Sequence, residues 1–455
     1  MNDYGELLAK YDRAGPRYTS YPTAPVWRDD FTDEDYAERL RVAAQKRDEP
    51  MSLYVHVPYC NALCFFCGCS TMITQRHEKE APYVDRVLAE ARLVRETMGN
   101  ARPVAQHHWG GGTPTFLAPQ MIEKLFSGLN ELFSVADDAE VSIEVDPRVT
   151  TREQLEMLRS LGFNRISMGV QDFDEKVQTT INRVQSFAQT EAVVNTAREL
   201  GFVSANLDLI YGLPHQTKKS FARTLELFHD LDPDRIACYG YAHVPWLKKR
   251  QQVIPEDALP TGGDKLALFQ MALESFLGRG YSAIGMDHFA KEEDELSVAV
   301  GNGTLHRNFM GYSTHPAEDM VAFGMSSISE IDGAFSQNLK VATDWEAAVD
   351  SNRLPVDRGL VRSDDDERRR RVILDLMCHF QVDFSDHGGA DEFSRRYSLE
   401  LKELQPFIDD KLIRVDDTGI EVTELGRLFV RNICMTFDAY LRHRDEEKPM
   451  FSRTV

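Results

Sequence analysis

Ten residues, Cys60–Cys69, contain four of the seven cysteines of the chain. Three of them, Cys60, Cys64 and Cys67, have the spacing C-x3-C-x2-C. Thiolates this close together on one loop can bind a single inorganic centre. A zinc site normally takes four ligands, and an iron–sulfur cluster is usually held by four cysteine thiolates. Three regularly spaced ligands therefore leave one iron open for a substrate or a cofactor.

Cys69 would be a fourth thiolate, but only one residue separates it from Cys67. Two thiolates so close along the chain cannot easily join Cys60 and Cys64 on one cubane. The sequence leaves open whether Cys69 has a structural role beside the cluster or takes part in catalysis.

Six repeats of a strand followed by a helix are predicted to position this loop. The apolar residues Leu53, Val55 and Val57 alternate with more polar ones in the first strand. The predicted strands begin at Met51 and then cover Val104–Trp109, Val141–Val145, Arg165–Val170, Ala205–Ile210 and Arg235–Tyr241. Repeated β-then-α units favour a parallel sheet with right-handed crossovers. We therefore expect an α/β fold, a partial (β/α)6 TIM-like open barrel.

Functional residues of such folds lie on the loops at the carboxyl ends of the strands. The chemically capable residues of this chain follow the predicted strands: the cysteines, the glycine run 110–112, Glu144, Gln171 and Asp208. Glycine has no side chain, so the run lets backbone approach a ligand closely, although a tight turn is the simpler explanation. Glu144 and Asp208 are candidate hydrogen-bond acceptors or, alternatively, solvated carboxylates.

Four regions are predicted: an N-terminal arm (1–48), the α/β core (49–290), a connecting segment covering the active site (291–359) and a C-terminal domain (360–455). The arm is rich in Pro and Tyr over 15–23 and is either a surface strap or a flap that carries Arg17 toward a ligand. Residues 306–309 are predicted to form a loop. A helix followed by a hairpin at 412–422 makes the C-terminal domain mostly helical and winged-helix-like.

The 455 residues carry a formal net charge of −21, from 52 Lys and Arg against 73 Asp and Glu. This balance argues against nucleic-acid binding and against docking on an anionic membrane. No run of 18 apolar residues and no basic, apolar N-terminal signal is present. Crowded cysteines in an odd number suit a reducing cytoplasm. Nothing in the sequence suggests more than a monomer.

The cysteine spacing directly after a first strand resembles that of the radical S-adenosylmethionine (SAM) superfamily. The resemblance implies a [4Fe-4S] cluster on Cys60, Cys64 and Cys67, whose open iron chelates the amino and carboxylate groups of SAM. One electron from the cluster then yields a 5′-deoxyadenosyl radical. The run Gly110-Gly111-Gly112-Thr113-Pro114 matches the glycine motif that holds the methionine end of SAM in this superfamily.

Longer stretches resemble the oxygen-independent coproporphyrinogen III oxidase (dehydrogenase) family. They include Leu53-Tyr54-Val55-His56-Val57-Pro58, Cys64-Phe65-Phe66-Cys67-Gly68-Cys69, Glu144-Val145-Asp146-Pro147-Arg148, Asp208-Leu209-Ile210-Tyr211-Gly212-Leu213-Pro214 and Gly285-Met286-Asp287-His288-Phe289. The likeness runs from Tyr18-Thr19-Ser20-Tyr21-Pro22-Thr23 to Phe451-Ser452-Arg453. It implies oxidative decarboxylation of two propionate side chains of coproporphyrinogen III to vinyl groups, giving protoporphyrinogen IX in haem biosynthesis. An unidentified electron donor is also implied.

The same resemblance implies two bound SAM molecules. Carried over residue by residue, the first contacts Tyr54, Gly111, Glu144 and Ile328, and the second contacts Phe66, Gly112, Thr113, Gln171, Arg183, Asp208 and Ala242. Asn61, where the family often has His, and Trp246 are departures near the substrate pocket. Arg17 and Arg307 are expected partners for the substrate carboxylates.

Two other hypotheses remain open at this point. One is a haem-binding or haem-delivering protein of the same superfamily. The other is a cluster-based regulator that binds DNA through the winged-helix-like region.

Overall fold

The computed structural model describes residues 4–315, 317–442, 451 and 453–454. The N-terminal arm contains two α-helices, α1 (Tyr4–Tyr11) and α2 (Asp33–Ala43), and a 3-10 turn at Ala24–Val26. Residues 15–23 form neither helix nor strand. Ser452, in the last motif of the family resemblance, lies outside the described residues.

The core begins with regularly alternating strands and helices. In chain order they are β1 (Met51–Val57), β2 (Tyr59–Cys60), β3 (Met72–Ile73), α3 (Glu80–Met98), β4 (Val104–Gly111), α4 (Pro119–Leu132), β5 (Val135–Val145), α5 (Arg152–Ser160), β6 (Arg165–Gln171), α6 (Glu175–Thr180), α7 (Phe187–Glu199), β7 (Ser204–Tyr211), α8 (Lys218–Leu231) and β8 (Arg235–Gly240). Short 3-10 turns lie at His77–Lys79 and Pro114–Phe116. All six predicted strands are present.

The second part of the core is richer in short strands. It contains α9 (Gly262–Leu277), β9 (Tyr281–Gly285), β10 (His288–Lys291), α10 (Glu295–Asn302), β11 (His306–Asn308), β12 (Gly311–Ser313), β13 (Asp319–Phe323), β14 (Ile328–Ile331), β15 (Ala334–Asn338), α11 (Ala342–Asp350) and β16 (Val356–Val361). Two 3-10 turns, Lys249–Val253 and Glu256–Ala258, precede it.

One twelve-stranded sheet organises the core, in the order β16-β15-β14-β13-β1-β4-β5-β6-β7-β8-β10-β9. Six neighbouring strands are mutually parallel, in the order β1-β4-β5-β6-β7-β8. On the other side of β1, β13 also pairs parallel with it. The antiparallel strand β10 follows β8. Because the carboxyl ends of β1, β4, β5, β6 and β7 share one edge, the loops that follow them can form one site.

Two details differ from the sequence predictions. The strand predicted at Val141–Val145 begins at Val135, because its amino-terminal half carries the exposed Asp137 and Asp138 and so lacks an apolar pattern. Residues 306–308 form β11, paired antiparallel with β12, and the prediction of a loop there is wrong. Three-residue strands are too short to show a periodicity.

The C-terminal region is mostly helical. It contains α12 (Asp364–Cys378), β17 (Gln381–Asp383), α13 (Ala390–Arg396), α14 (Ser398–Glu403), α15 (Gln405–Asp409), β18 (Ile413–Val415), β19 (Gly419–Val422) and α16 (Val430–Thr436), with 3-10 turns at Phe384–His387 and Gly426–Phe429. The predicted hairpin is β18–β19, and β17 completes a three-stranded sheet. Tyr11, Tyr18 and Tyr21 of the arm share a buried apolar cluster with this region. The arm is therefore fastened to the C-terminal region as well as to the core.

Candidate active site

Hydrogen bonds hold the cysteine loop at its root and along one side. The root is closed by β2, which pairs parallel with β3. On one side the Phe65 N–H donates to the Ile181 carbonyl (3.0 Å), and the Asn182 amide donates to the Leu63 carbonyl (2.8 Å). These contacts fix the loop against the segment after α6.

The three predicted cluster ligands line one cavity of about 190 Å³. Eight of the eleven residues predicted to bind SAM line it with them: Phe66, Gly111, Gly112, Thr113, Glu144, Gln171, Arg183 and Asp208. They come from the cysteine loop, from the ends of β4–β7 and, for Arg183, from the segment after α6. The residues at the carboxyl ends of the predicted strands therefore line the same cavity as the cysteines.

The other three predicted SAM residues do not line this cavity. The hydroxyl of Tyr54 lies 3.2 Å from Nδ1 of His56, and its ring stacks on His108. Ala242 follows β8, where its carbonyl accepts a hydrogen bond from the Gln251 amide. Ile328, at the start of β14, packs against a small apolar cluster that contains Trp27.

Each predicted ligand thiol has a hydrogen-bond donor beside it. The Thr113 hydroxyl lies 3.5 Å from Sγ of Cys60. The guanidinium groups of Arg148 and Arg183 each place a nitrogen 3.7 Å from Sγ of Cys64. Donors of this kind stabilise thiolates and the sulfurs of a cluster.

The third predicted ligand, Cys67, accepts hydrogen bonds from Cys69. The Cys69 N–H donates to Sγ of Cys67 at 3.4 Å. A hydrogen bond from the Cys69 thiol also lowers the pKa of Cys67, outweighing the effect of burial. Burial raises the pKa of Cys60 to about 11, so that thiol depends on a bound cation to stay ionised near neutral pH.

This donor set fits an iron–sulfur cluster. In the described part of the chain, no three His, Cys, Asp or Glu side chains converge closely enough to hold a single metal ion. A [4Fe-4S] cluster presents a different iron to each thiolate. Three thiols that line one cavity, each beside a donor, match that arrangement.

A buried carboxylate holds the two guanidinium groups in place. Asp146 accepts from Arg148 (2.7 Å) and from Arg183 (3.2 Å). Burial opposes its ionisation, but the charge of Arg183 and the bonds from Arg148 keep the pKa of Asp146 below its usual value. The result is a fixed anion bridging two cations next to Cys64.

Two further carboxylates face the cavity and differ in charge state. Partial burial opposes ionisation of Glu144, yet His108 and the Gly111 N–H (3.1 Å) lower its pKa. Burial, together with the negative charge of Glu144, raises the pKa of Asp208 to about 7. Glu144 is thus ionised at neutral pH, whereas Asp208 titrates there.

The glycine run packs against protein rather than leaving open space. Gly111 has φ +111°, and a Cβ there would lie 2.5 Å from the His56 ring. A Cβ on Gly112 would lie 2.6 Å from the backbone of Pro58. Glycine is needed here so that the end of β4 can lie against the root of the cysteine loop.

A second cavity of about 180 Å³ shares Glu144, Ser167 and Asp208 with the first. Tyr239 and Tyr312 line it elsewhere. The two arginines named from the sequence lie against these rings. The guanidinium of Arg17 is 5.2 Å from the Tyr239 ring centre, and that of Arg307 is 4.6 Å from the Tyr312 ring centre.

The two arginines differ in their polar partners. Arg17 is paired with Asp287. Arg307 donates from Nε to the Tyr18 carbonyl at 3.4 Å, and its buried Nη1 has no hydrogen-bond partner among the described residues. A buried cation without an anion is unfavourable, so Arg307 suits an anionic ligand.

Known proteins match this chain over nearly all of its length. A family model described as the Radical SAM superfamily matches residues 54–228. A protein called oxygen-independent coproporphyrinogen III oxidase from Escherichia coli (strain K12) is 44% identical over 451 residues, covering 99% of this chain and 98% of the relative. The protein of the same name from a Synechocystis species is 42% identical over 456 residues, covering 99% and 97%.

The chain belongs to the oxygen-independent coproporphyrinogen III oxidase family. A solved structure described as coproporphyrinogen III oxidase (HemN) from Escherichia coli, a radical SAM enzyme, matches with a TM-score of 0.90 and 42% identity, covering 96% of this chain and 98% of that one. The resemblance and the fold class predicted from sequence are confirmed. As a member of this family, the chain is a radical SAM oxidoreductase that uses a [4Fe-4S] cluster and SAM.

Asp146, Arg148 and Arg250 belong to the site but were not predicted from the sequence. Asp146 and Arg148 appeared only within a motif, without a role, although they follow a predicted strand directly. Arg250 lines the first cavity from the segment after β8. No periodicity marks that segment, so only the structure connects it to the cysteine loop.

Proposed function

We infer that this chain converts coproporphyrinogen III to protoporphyrinogen IX without oxygen, a step of haem biosynthesis. Two propionate side chains are oxidatively decarboxylated to vinyl groups: each loses a hydrogen atom, CO2 and one electron, and the electron passes to a separate acceptor. The observation that carries the assignment is the 44% identity over 99% of the chain, together with a cavity that unites the three cysteines and eight of the predicted SAM residues.

We propose Cys60, Cys64 and Cys67 as the ligands of the [4Fe-4S] cluster. When bound, the cluster and SAM supply the one-electron chemistry that removes a hydrogen atom from the β-carbon of a propionate. The protein contributes donors to each ligand. Thr113 donates beside Cys60, and the Asp146-held arginines donate beside Cys64.

We propose two SAM sites, because two propionates are converted. Tyr54, Gly111, Glu144 and Ile328 serve the first, and Phe66, Gly112, Thr113, Gln171, Arg183, Asp208 and Ala242 serve the second. The ionised Glu144 is suited to accept a hydrogen bond from the amine of SAM. Asp208 is suited to accept from a ribose hydroxyl once it is ionised, which its pKa of about 7 permits at neutral pH.

The second cavity is the proposed approach of the substrate. It adjoins the first through Glu144 and Asp208, so a propionate placed there would lie beside a SAM molecule. Arg17 and Arg307 lie against Tyr239 and Tyr312 of its lining and are proposed partners for carboxylates of the substrate. These two tyrosines line the cavity and offer apolar ring surface to a macrocycle.

The remaining proposals concern the setting of the reaction. The chain works as a monomer in the cytoplasm and receives electrons from a separate donor. None of the described helices is long and apolar enough to cross a membrane. The proposed regions are an arm over 1–48, the core over 49–290, a connecting segment over 291–359 and a C-terminal domain over 360–455.

Counting bound SAM tests the residue assignment. Anaerobic equilibrium dialysis of the reconstituted protein is expected to give two SAM molecules per chain. Gln171→Ala and Phe66→Ala should reduce this number to one while iron and sulfide contents stay unchanged. A stoichiometry of one in the unmutated protein would contradict the two-site proposal.

A further inference from the structure

Exposed apolar side chains are concentrated around the cysteine loop. Eleven large hydrophobic residues are exposed among the described residues. Five of these lie on three segments that contact the cysteine loop: Ile73, Val184, Trp246, Leu247 and Val253. The exposed fraction of these eleven residues ranges from 45% to 67%. Within the group of five, Trp246 and Leu247 are each 55% exposed. We call these five residues and Lys248, Lys249 and Arg250 the loop collar.

The three segments are attached to the loop by hydrogen bonds. Ile73 belongs to β3, which pairs with β2 at the root of the loop. Val184 is two residues from Asn182, whose amide donates to the Leu63 carbonyl. The segment 244–254 is held by Lys248, which donates to the Gly68 carbonyl, and by Gln251, which donates to the Phe66 carbonyl at 3.0 Å.

The collar is positively charged on a strongly acidic chain. Segment 244–254 contains Lys248, Lys249 and Arg250 and no acidic residue, whereas the whole chain has a net charge of −21. Glu256 and Asp257 follow it, and Glu256 lies 3.6 Å from Nε2 of His243. The net negative charge of the chain repels an acidic partner protein from most of the surface, whereas the loop collar attracts it. The charge distribution therefore favours acidic partners and orients them with the collar at the interface.

The collar is also the part of the surface next to the cluster ligands. Lys248 contacts the carbonyl of Gly68, which lies between Cys67 and Cys69. Cys69 itself is exposed. Arg250 donates to the Thr71 hydroxyl (3.0 Å) and lines the cavity that contains the three ligands. A protein seated on the collar would therefore lie against the backbone of the cluster loop.

We propose that the loop collar is the docking surface of a small acidic electron-carrier protein that reduces the cluster. In each encounter the carrier loses one electron and the cluster gains one. An apolar centre with a few cationic side chains fits a weak, transient redox interface, which needs less area than a stable complex. The proposal rests on the proposed function, because it requires a cluster on Cys60, Cys64 and Cys67.

The test compares two reductants on the reconstituted full-length protein. Reduced flavodoxin is the acidic protein probe, and dithionite is the small reductant, with bleaching of the visible absorption as the readout. In Lys249→Glu, reduction by flavodoxin should slow about tenfold or more at low salt, the scale of electrostatically steered association. Reduction by dithionite should be unchanged. Leu247→Ser should slow flavodoxin alone in the same way.

The matched control is Lys219→Glu, the same charge change at an exposed lysine of α8, which should leave both rates unchanged. An unchanged flavodoxin rate in Lys249→Glu, with normal dithionite bleaching, overturns the docking surface alone. Failure of the unmutated protein to assemble a bleachable cluster overturns the proposed function and this proposal with it. With dithionite as reductant, a raised KM for coproporphyrinogen III in Lys249→Glu would instead assign the collar to substrate entry and overturn the proposal.

Discussion

Replacement of Glu144 by glutamine should weaken SAM binding without removing the cluster. The carboxylate accepts the Gly111 N–H at 3.1 Å, and His108 lowers its pKa, so it is an anion on the cavity wall. A hydrogen bond to a charged group contributes about 1.5–3 kcal/mol. The side chain is 47% exposed, and solvent screening reduces this to about 1–2 kcal/mol. Glu144→Gln should therefore raise the Kd of SAM roughly 5- to 30-fold.

Calorimetric titration of SAM into the anaerobic reconstituted protein measures this change. Iron and sulfide contents should match those of the unmutated protein, since Glu144 is not a proposed ligand. Glu131→Gln, at an exposed carboxylate near the end of α4, is the matched control and should leave the Kd unchanged. An unchanged Kd in Glu144→Gln, or loss of the cluster, would contradict the proposed role of Glu144 in binding SAM.

Three further predictions follow from buried charges. Arg148→Gln removes a donor beside Cys64 and should shift the cluster potential to more negative values in an EPR-monitored titration, with iron retained. SAM affinity should rise with pH through about 7, because Asp208 has a raised pKa of about 7 and accepts hydrogen bonds fully only when ionised; Asp208→Asn should abolish this dependence. Arg102→Met breaks a buried pair with Asp319 and should cost about 3–5 kcal/mol of stability, seen as a lower urea midpoint, whereas Arg28→Ala, at an exposed pair, should leave the midpoint unchanged.

The parallel core could be predicted because each strand has a local signature. The apolar alternation of Leu53, Val55 and Val57 marks β1, and a turn or glycine run follows most strands. Side chains that follow parallel strands share one edge of the sheet. That rule predicts that the cysteine loop, Glu144 and Asp208 lie together, and eight of the eleven predicted SAM residues do line one cavity.

The strands beyond residue 300 could not be predicted in the same way. Asp319 begins β13, yet it is buried, because Arg102 from the segment before β4 donates to it. In the sequence alone, a polar residue at the start of a short strand predicts a loop, because the residue that will pair with it in the fold is far away along the chain. The same limit hid the role of Asp146, whose partner Arg183 is 37 positions further along the chain.

We propose that this chain decarboxylates coproporphyrinogen III with SAM at a cluster on Cys60, Cys64 and Cys67. The most direct measurement is anaerobic turnover of the reconstituted protein with coproporphyrinogen III, SAM and dithionite, counting products. We expect two molecules of CO2 and two of 5′-deoxyadenosine for each protoporphyrinogen IX, and none of these three products from Cys64→Ala. Substrate binding without CO2 release, in protein with an intact cluster and bound SAM, would contradict this proposal.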